Sequence, residues 1–468
     1  MRIFKLFSTI ACLLLLVCEE AAAQSAIYAC GHIRRHREVA IDNLRNSGYT
    51  TVILFNVTVE PDGTLTTDYN WSTQTPAEAG GIICKDGEYV FDEYQPFYKD
   101  DVRMIMTAPT SVQRLEICIG GWTNGSYGNI KKLVESQGTD EESILYRNFK
   151  ALKEALPLVE AVNNDQEQDY DVESAIAFHK MMYSLGYKTT IAPYTRKAYW
   201  QQMVEELNGE NEICDRVYLQ MYGGGASNTP SNWQVFGDVP MYVGFDCEAN
   251  SNRTAMTNSF NRWAETENIE GGFLWNYNSE DRNHNQWAAN INRIFNHNTI
   301  ENPAAIVYEN SNFKGYSVEL AEGTYNQSQL AVMGIAARDI SSFKLYDGYK
   351  ITLFTSPEPD SNSQEWTESV ERLDSEWNNK ACSLKIESSE AKVTSISNEN
   401  TEISYDGKVI TLKGISRKDA IRIYDIYGRL IFEDKQPYDP YYISADKFPE
   451  GIYIVKAAGK TLKIKTGQ

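Results

Sequence analysis

Over residues 26–300 the chain alternates short β-like runs with amphipathic helical stretches, and that rhythm admits few folds. The predicted strands are Ala26–Cys30, Thr50–Val57, Leu115–Ile119, Leu158–Glu167, Thr189–Pro193, Arg216–Tyr222, Val239–Phe245 and Gly272–Tyr277. Helical periodicity falls between many of them, as in Glu173–Leu185, Met256–Glu267 and Asn285–Phe295. Parallel strands need long crossover connections, so this order predicts an α/β fold, a closed (β/α)8 barrel over residues 24–301. An open doubly wound sheet is the alternative. No Gly-rich phosphate loop follows the first run, which leaves a nucleotide fold little support. The rhythm breaks at Asn302-Pro303, and helix signals then vanish. Residues 302–388 read as a small all-β domain with runs such as Ala305–Tyr308, Tyr316–Leu320, Ser342–Tyr346, Lys350–Phe354 and Cys382–Ile386. Residues 389–401 read as a polar linker, and 402–468 as a second small all-β domain.

Residues 1–23 have the grammar of an export leader: Arg2 and Lys5, an apolar stretch from Ile10 to Val17, then Ala21-Ala22-Ala23 as a cleavage site. The stretch is too short to span a bilayer. Cys18 offers a lipoprotein alternative, against which stands the bulky Val17 before it. A net charge of −20 excludes a nucleic-acid partner, which needs a basic face. It places no restriction on a neutral polysaccharide. Beyond the leader, Cys30, Cys84, Cys118, Cys214, Cys247 and Cys382 are scattered without paired spacing, so no zinc site is expected. Export permits disulfides, but the spacing gives no connectivity.

The fourth run carries the chemistry. It reads Glu160-Ala-Val-Asn163-Asn-Asp165-Gln-Glu167. Alternate residues of a strand share a face, so Asn163, Asp165 and Glu167 point the same way, and at the C-terminal end of a barrel strand that is into the site. An acid there protonates a leaving oxygen if burial or a neighbouring charge raises its pKa, and a second carboxylate on the same face supplies such a charge. On its own the run also reads as a solvated acidic loop, and Tyr222 and Trp275 as core aromatics. The run is similar to the DxxDxDxE signature of glycoside hydrolase family 18. Three other runs resemble that family in the same order: Cys118-Ile-Gly120-Gly121-Trp122 its SxGG, Gln220-Met-Tyr222 its sixth strand, and Gly271-Gly272-Phe-Leu-Trp275 its eighth.

The resemblance implies a retaining, substrate-assisted mechanism in which the substrate's N-acetyl carbonyl is the nucleophile. Glu167 would be general acid and then base, Asp165 would hold the acetamido N–H, and Tyr222 would bind the acetamido oxygen. Trp275 would be the floor beneath the sugar, with Gln220, Asn163 and Trp122 as further substrate contacts. No cofactor or metal is implied for catalysis. Departures are Glu160 and Asn163 at two Asp positions and Cys118 for Ser. Asn163 can donate a hydrogen bond to Asp165 but cannot take up charge. Asn164 and Gln166 are polar where a strand face packed on helices is normally apolar. With no obvious large insertion before the eighth strand, a shallow open cleft and endo cleavage are expected. The implied substrate is chitin or chito-oligosaccharide, with the chitobiose core of N-glycans as the second choice. A chitinase-like lectin without turnover is the alternative from another class.

Residues 304–388 resemble a βγ-crystallin domain through Tyr308-x4-Phe313-x-Gly315 and two motifs, Ala337-Arg338-x-Ile340-Ser341-Ser342 and Asn378-Asn379-Lys-Ala-Cys382-Ser383. Such motifs bind Ca²⁺ through oxygens. The resemblance implies one structural Ca²⁺ at most, with Asn378, Asn379 and Ser383 as ligands, because Arg338 opposes a cation in the first motif. Residues 402–466 resemble the C-terminal sorting domain of the type IX secretion system through Ile423-Tyr-Asp425-Ile-Tyr-Gly428-Arg429 and Phe448-Pro-Glu-Gly451-Ile-Tyr453-Ile-Val-Lys456. The implied partner is that secretion machinery and the implied location the cell surface or beyond. A monomer is expected.

Overall fold

The computed structural model describes residues 24–67, 81–266, 268–296, 300, 302–360, 362–389, 401–425, 429–435, 437–449 and 451–466. The expected export leader, most of the expected linker and the expected Tyr427-Gly428 turn lie outside the described residues. The chain divides into two compact units, residues 1–346 with 351–386, and residues 387–468 with 347–350.

Eight parallel strands form the first architecture: β1 (Ser25–Ala29), β2 (Thr51–Val59), β3 (Arg114–Gly120), β4 (Val159–Asp165), β5 (Lys188–Ile191), β6 (Cys214–Leu219), β7 (Met241–Asp246) and β8 (Ile269–Trp275). Each pairs with its neighbours in sequence, and β1 pairs with both β2 and β8, so the ring closes. A closed eight-stranded parallel ring is the TIM-barrel arrangement. Helices α1 (Arg37–Arg45), α2 (Tyr98–Ile105), α3 (Ser126–Gln137), α4 (Ile144–Ala155), α5 (Val172–Ser184), α6 (Lys197–Asn208), α7 (Arg253–Trp263) and α8 (His284–Phe295) follow the strands. Side chains cap the starts of three of them: Ser143 accepts from the Tyr146 amide, Asp171 from the Ser174 amide and Asn252 from the Ala255 amide. The β6–β7 connection holds only 3-10 turns at Gly223–Gly225 and Pro230–Trp233.

Two expectations change here. The predicted strand Leu158–Glu167 stops at Asp165, and Arg216–Tyr222 becomes a strand ending at Leu219. Glu167, Gln220 and Tyr222 therefore stand on the loops above the ring. The barrel also carries a long excursion between β2 and β3, with short strands Leu65–Thr66, Ile82–Lys85 and Glu88–Tyr89 running off the end of β2. Strands this short leave no periodic trace, which is why the sequence showed no insertion.

The barrel interior is polar at its lower levels. Glu116 is fully buried and accepts from Arg114 (2.8 Å), the Tyr218 hydroxyl (2.9 Å) and Thr190 Oγ1 (2.6 Å), while Arg114 also clasps Asp215 at 2.8 Å. Removing one member of such a buried set costs about 3–5 kcal/mol, because the remaining charge is stranded.

The first β domain has two antiparallel sheets. Strands β9 (Ala305–Asn310), β10 (Lys314–Leu320) and β12 (Ser342–Leu345) form one, with β9 central. Strands β11 (Gly323–Tyr325), β13 (Tyr349–Phe354), β14 (Ser363–Trp366) and β15 (Ser383–Ser388) form the other. Tyr308 and Phe313 pack with centroids 5.5 Å apart, and Gly315 holds φ +76° where an added Cβ would strike Asn310. Helix signals do not vanish after residue 302. A short helix, α9 (Gln327–Val332), opens with a capping box between Asn326 and Gln329.

This domain is fastened to the barrel. Asn292 of α8 is fully buried and donates to Gly48 O and Ala331 O, both at 2.9 Å. Asn285 accepts from the Ala337 amide at 2.6 Å. Arg293 pairs with Glu309 at 3.3 Å and Asp339 at 3.4 Å. The second compact unit is all antiparallel: β16 (Glu402–Tyr405), β17 (Val409–Lys413) and β20 (Tyr441–Ser444) in one sheet, β18 (Ile421–Asp425), β19 (Leu430–Asp434), β21 (Gly451–Ala457) and β22 (Lys460–Thr466) in the other. Ile410, Leu412, Ile423, Ile443, Val455 and Ile464 make one shared core, so the two sheets face each other.

Candidate active site

A cavity of about 660 Å³ opens at the C-terminal ends of the barrel strands. Its lining includes Asp165, Glu167, Gln220, Tyr222, Trp275 and Trp122, so six of the seven barrel residues singled out by sequence meet in one place. The exception is Asn163. It is fully buried and absent from the lining. Its amide donates to Thr190 Oγ1 (2.9 Å) and its oxygen accepts from the Tyr28 hydroxyl (2.9 Å). Two residues along a strand is about 7 Å of depth, so sharing a face with Asp165 puts Asn163 one level lower. Neither a substrate contact nor the expected bond to Asp165 is made by it. Glu160 is exposed, on the outer face of β4.

Asp165 is held instead by Gln220, whose Nε2 lies 2.8 Å from Oδ1 and 2.9 Å from the Ala192 carbonyl. Burial pushes the Asp165 carboxyl well up, and the Glu167 charge pushes it the same way against the Gln220 bond. Burial also raises Glu167, opposed by a hydrogen bond from the Tyr194 hydroxyl. Two carboxyls this closely linked titrate together, and at neutral pH such a pair retains a proton more readily than a lone carboxylate. Burial likewise raises the Tyr222 phenol, followed by the Asp165 and Asp246 charges, so it is a neutral donor.

The β3 end explains its own sequence. Gly120 and Gly121 hold φ of +112° and +104°, and the Gly121 amide donates to the Asp165 carbonyl at 2.7 Å. A Cβ on Gly120 would lie 2.3 Å from that carbonyl oxygen. Only glycine permits this approach. Trp275 lies edge-on to Phe55 (centroids 4.9 Å, 85°) and 5.5 Å from Tyr28, which fixes its ring in the base of the cavity. Trp122, with 69% of its surface exposed, stands at the rim.

Sequence reasoning missed Phe55, Asn56, Tyr194 and Asp246, which also line the cavity. Phe55 and Asn56 lie in the C-terminal half of β2, Asp246 ends β7 and Tyr194 follows β5, so the rule that barrel sites gather at strand ends would have nominated them. Among the described residues that line the cavity there is no Lys, Arg or His.

In the first β domain the two motifs meet: Ser341 Oγ of the first donates to Asn379 Oδ1 of the second at 2.9 Å. Asn378 Oδ1 is buried without a partner. Ser383 is fully buried and its hydroxyl is turned to the Ser356 carbonyl (2.8 Å), so the hydroxyl beside Asn379 is that of Ser341. The cross-over pairing of the Greek key, which spacing alone does not reveal, makes this exchange. Among the described residues no cluster of three or more His, Cys, Asp or Glu could hold a metal ion. Cys84, Cys118, Cys214 and Cys382 are buried free thiols. No described helix is long and apolar enough to cross a membrane.

No family model matches the chain. No curated protein matches it either. Among solved structures, the chain is similar over a small part to βγ-crystallin domains. One is from Flavobacterium johnsoniae (27% identity over 19% of this chain and 99% of that one, TM-score 0.19), and one from Clostridium beijerinckii (28%, 18% and 95%, TM-score 0.18). Another is the N-terminal domain of protein S, at 31% identity over 18% of this chain and 97% of that one, TM-score 0.18.

Proposed function

We propose that the barrel is an endo-acting glycosidase that cleaves β-linked N-acetylglucosamine polymers, chitin or chito-oligosaccharide first, by substrate-assisted retention. The observation that carries this reading is the convergence of Asp165, Glu167, Tyr222 and Trp275 on one cavity, with both carboxyls pushed up. In the reading, the sugar stacks on Trp275. Glu167 gives its proton to the glycosidic oxygen as the C1–O bond breaks, and the acetamido oxygen closes on C1 to give an oxazolinium ion. Asp165 accepts from the acetamido N–H and offsets the positive charge, while the Tyr222 hydroxyl donates to the acetamido oxygen. Glu167, now a base, takes a proton from the water that opens the ring. A lining without a cationic side chain suits a neutral polymer better than an anionic one.

Incubation with a fluorogenic chitobioside tests this. Turnover lost in Glu167→Gln supports it, and tight binding without turnover in the parent protein overturns it in favour of a lectin. Release of glycan from a high-mannose glycoprotein, with chitobioside untouched, moves the substrate to the N-glycan core.

The Ser341–Asn379 pair with the orphaned Asn378 oxygen fits a Ca²⁺ ligand set, and a bound ion would tie the two Greek-key motifs together. The 402–466 unit is proposed as a type IX sorting domain on the residues quoted above. Its deletion should leave the protein short of the cell surface, and unimpaired surface delivery would refute that role.

A further inference from the structure

The end of β4 and the residue just past it carry two buried amides, Asn164 and Gln166, where a barrel strand ordinarily presents aliphatic side chains to the helices. Asn164 Nδ2 lies 2.9 Å from His179 Nε2. An amide nitrogen only donates, so Nε2 accepts, the ring proton is on Nδ1, and it is given to Thr189 Oγ1 at 3.0 Å. His179 stays neutral throughout, because burial lowers it to about 3. Asn164 Oδ1 accepts from the Gln166 amide at 3.0 Å. Gln166 in turn accepts from the Tyr199 hydroxyl and donates from Nε2 to the Asp169 carbonyl at 2.8 Å.

These bonds sit where the sheet ends. The last β3–β4 pair is Gly120 with Asp165, and the last β4–β5 pair is Asn164 with Ile191. Glu167 therefore stands two residues past the final ladder pair, at the start of a loop whose Asp169 holds φ +57°. Strand hydrogen bonds do not fix its backbone; beside it the Gln166 N–H is held by Asn164 and the Gln166 side chain bridges α6 and the Asp169 carbonyl, while the Tyr194 hydroxyl reaches the Glu167 carboxyl.

We propose that Gln166 is the positioning residue of Glu167, locking the 166–169 loop so that the acid's carboxyl faces the cavity. The proposal rests on Glu167 being the acid, as above. Gln166 is buried and lies outside the cavity lining, so it acts through Glu167 and not on the sugar. Without the bridge the carboxyl samples orientations away from the leaving oxygen and towards water. Misplacement on the 1 Å scale lowers turnover by about 100-fold in well-organised sites. Substrate contacts at Trp275 and Tyr222 are untouched, so KM is spared.

The variant is Gln166→Met, which keeps length and removes both bonds, with Tyr199→Phe removing only one and leaving the ring against Tyr170 and Trp200. With chitobioside, Gln166→Met should lose about 10- to 100-fold in kcat with KM little changed, and the basic limb of the pH profile should move acidward. Tyr199→Phe should fall between, and it stands in should Gln166→Met not fold. An independent readout is the 13C-carboxyl NMR titration of Glu167, assigned through Glu167→Gln. Its midpoint should drop towards that of an ordinary glutamate in both variants. An unmoved midpoint overturns the proposal, as does a loss of activity that merely tracks the folded fraction. A parent protein inactive on every glycan refutes the hydrolase reading instead, and the titration still decides the positioning role.

Discussion

Gly120→Ala probes the closest backbone approach in the site. Two costs add. The residue holds φ +112°, a region that costs a residue with a side chain about 1–2 kcal/mol. The new methyl would lie 2.3 Å from the Asp165 carbonyl oxygen and 2.7 Å from its carbon, so the end of β4 must retreat by about 1 Å to regain ordinary contact. Overpacking of that kind costs about 1–3 kcal/mol. The sum, roughly 2–5 kcal/mol, lowers the melting point of a unit this size by roughly 3–7 °C. The retreat also carries Asp165 and the Glu167 loop with it and breaks the Gly121–Asp165 bond of 2.7 Å. A shift on that scale should cut chitobioside turnover by about 100-fold. Thermal unfolding by circular dichroism and single-substrate kinetics give the two numbers. A variant that melts with the parent and turns over at the parent's rate would show that β3 has room to spare, and that the glycine pair has another cause.

Asp165→Asn should raise the unfolding midpoint at neutral pH while abolishing turnover. The Asp165 carboxyl is raised in the folded state, so the unfolded chain loses its proton first as pH rises. The penalty is absent below the ordinary carboxylate pKa, grows above it, and is complete once pH passes the folded value; the amide removes it. Melting curves at pH 4 and pH 7 check this, and equal stability of the two proteins at both would refute it. Asn292→Ala should destabilise the barrel and the first β domain together by about 1–3 kcal/mol, because the Gly48 and Ala331 carbonyls lose their shared donor. A scan in which only one of the two domains responds would contradict the joint seating.

The ring was legible because most of its strands are apolar runs long enough to register, and because amphipathic helices separate all but β6 and β7. The site was legible as far as the period-two rule reaches. It placed Asp165 correctly and gave Glu167 the right cavity for the wrong reason, since Glu167 is on a loop and not on the strand. The rule carries no depth, so it could not put Asn163 beneath the site. Nor could it explain Asn164, whose partner His179 sits on a helix and is reached only through the fold. Tyr194 and Asp246 belong to no local pattern; they are where strands end. The capping box at Asn326 and Gln329 was written in the sequence, but a six-residue helix is too short to raise a periodic signal.

The seating of the first β domain on α8 has a mechanical consequence. With Asn285, Asn292 and Arg293 all engaged across the junction, that domain has no swivel of its own relative to the barrel. It cannot search a surface while the cleft waits. The outer surface of that domain and the mouth of the cavity therefore keep one fixed angle, as a tool is held by a clamp rather than by a tether.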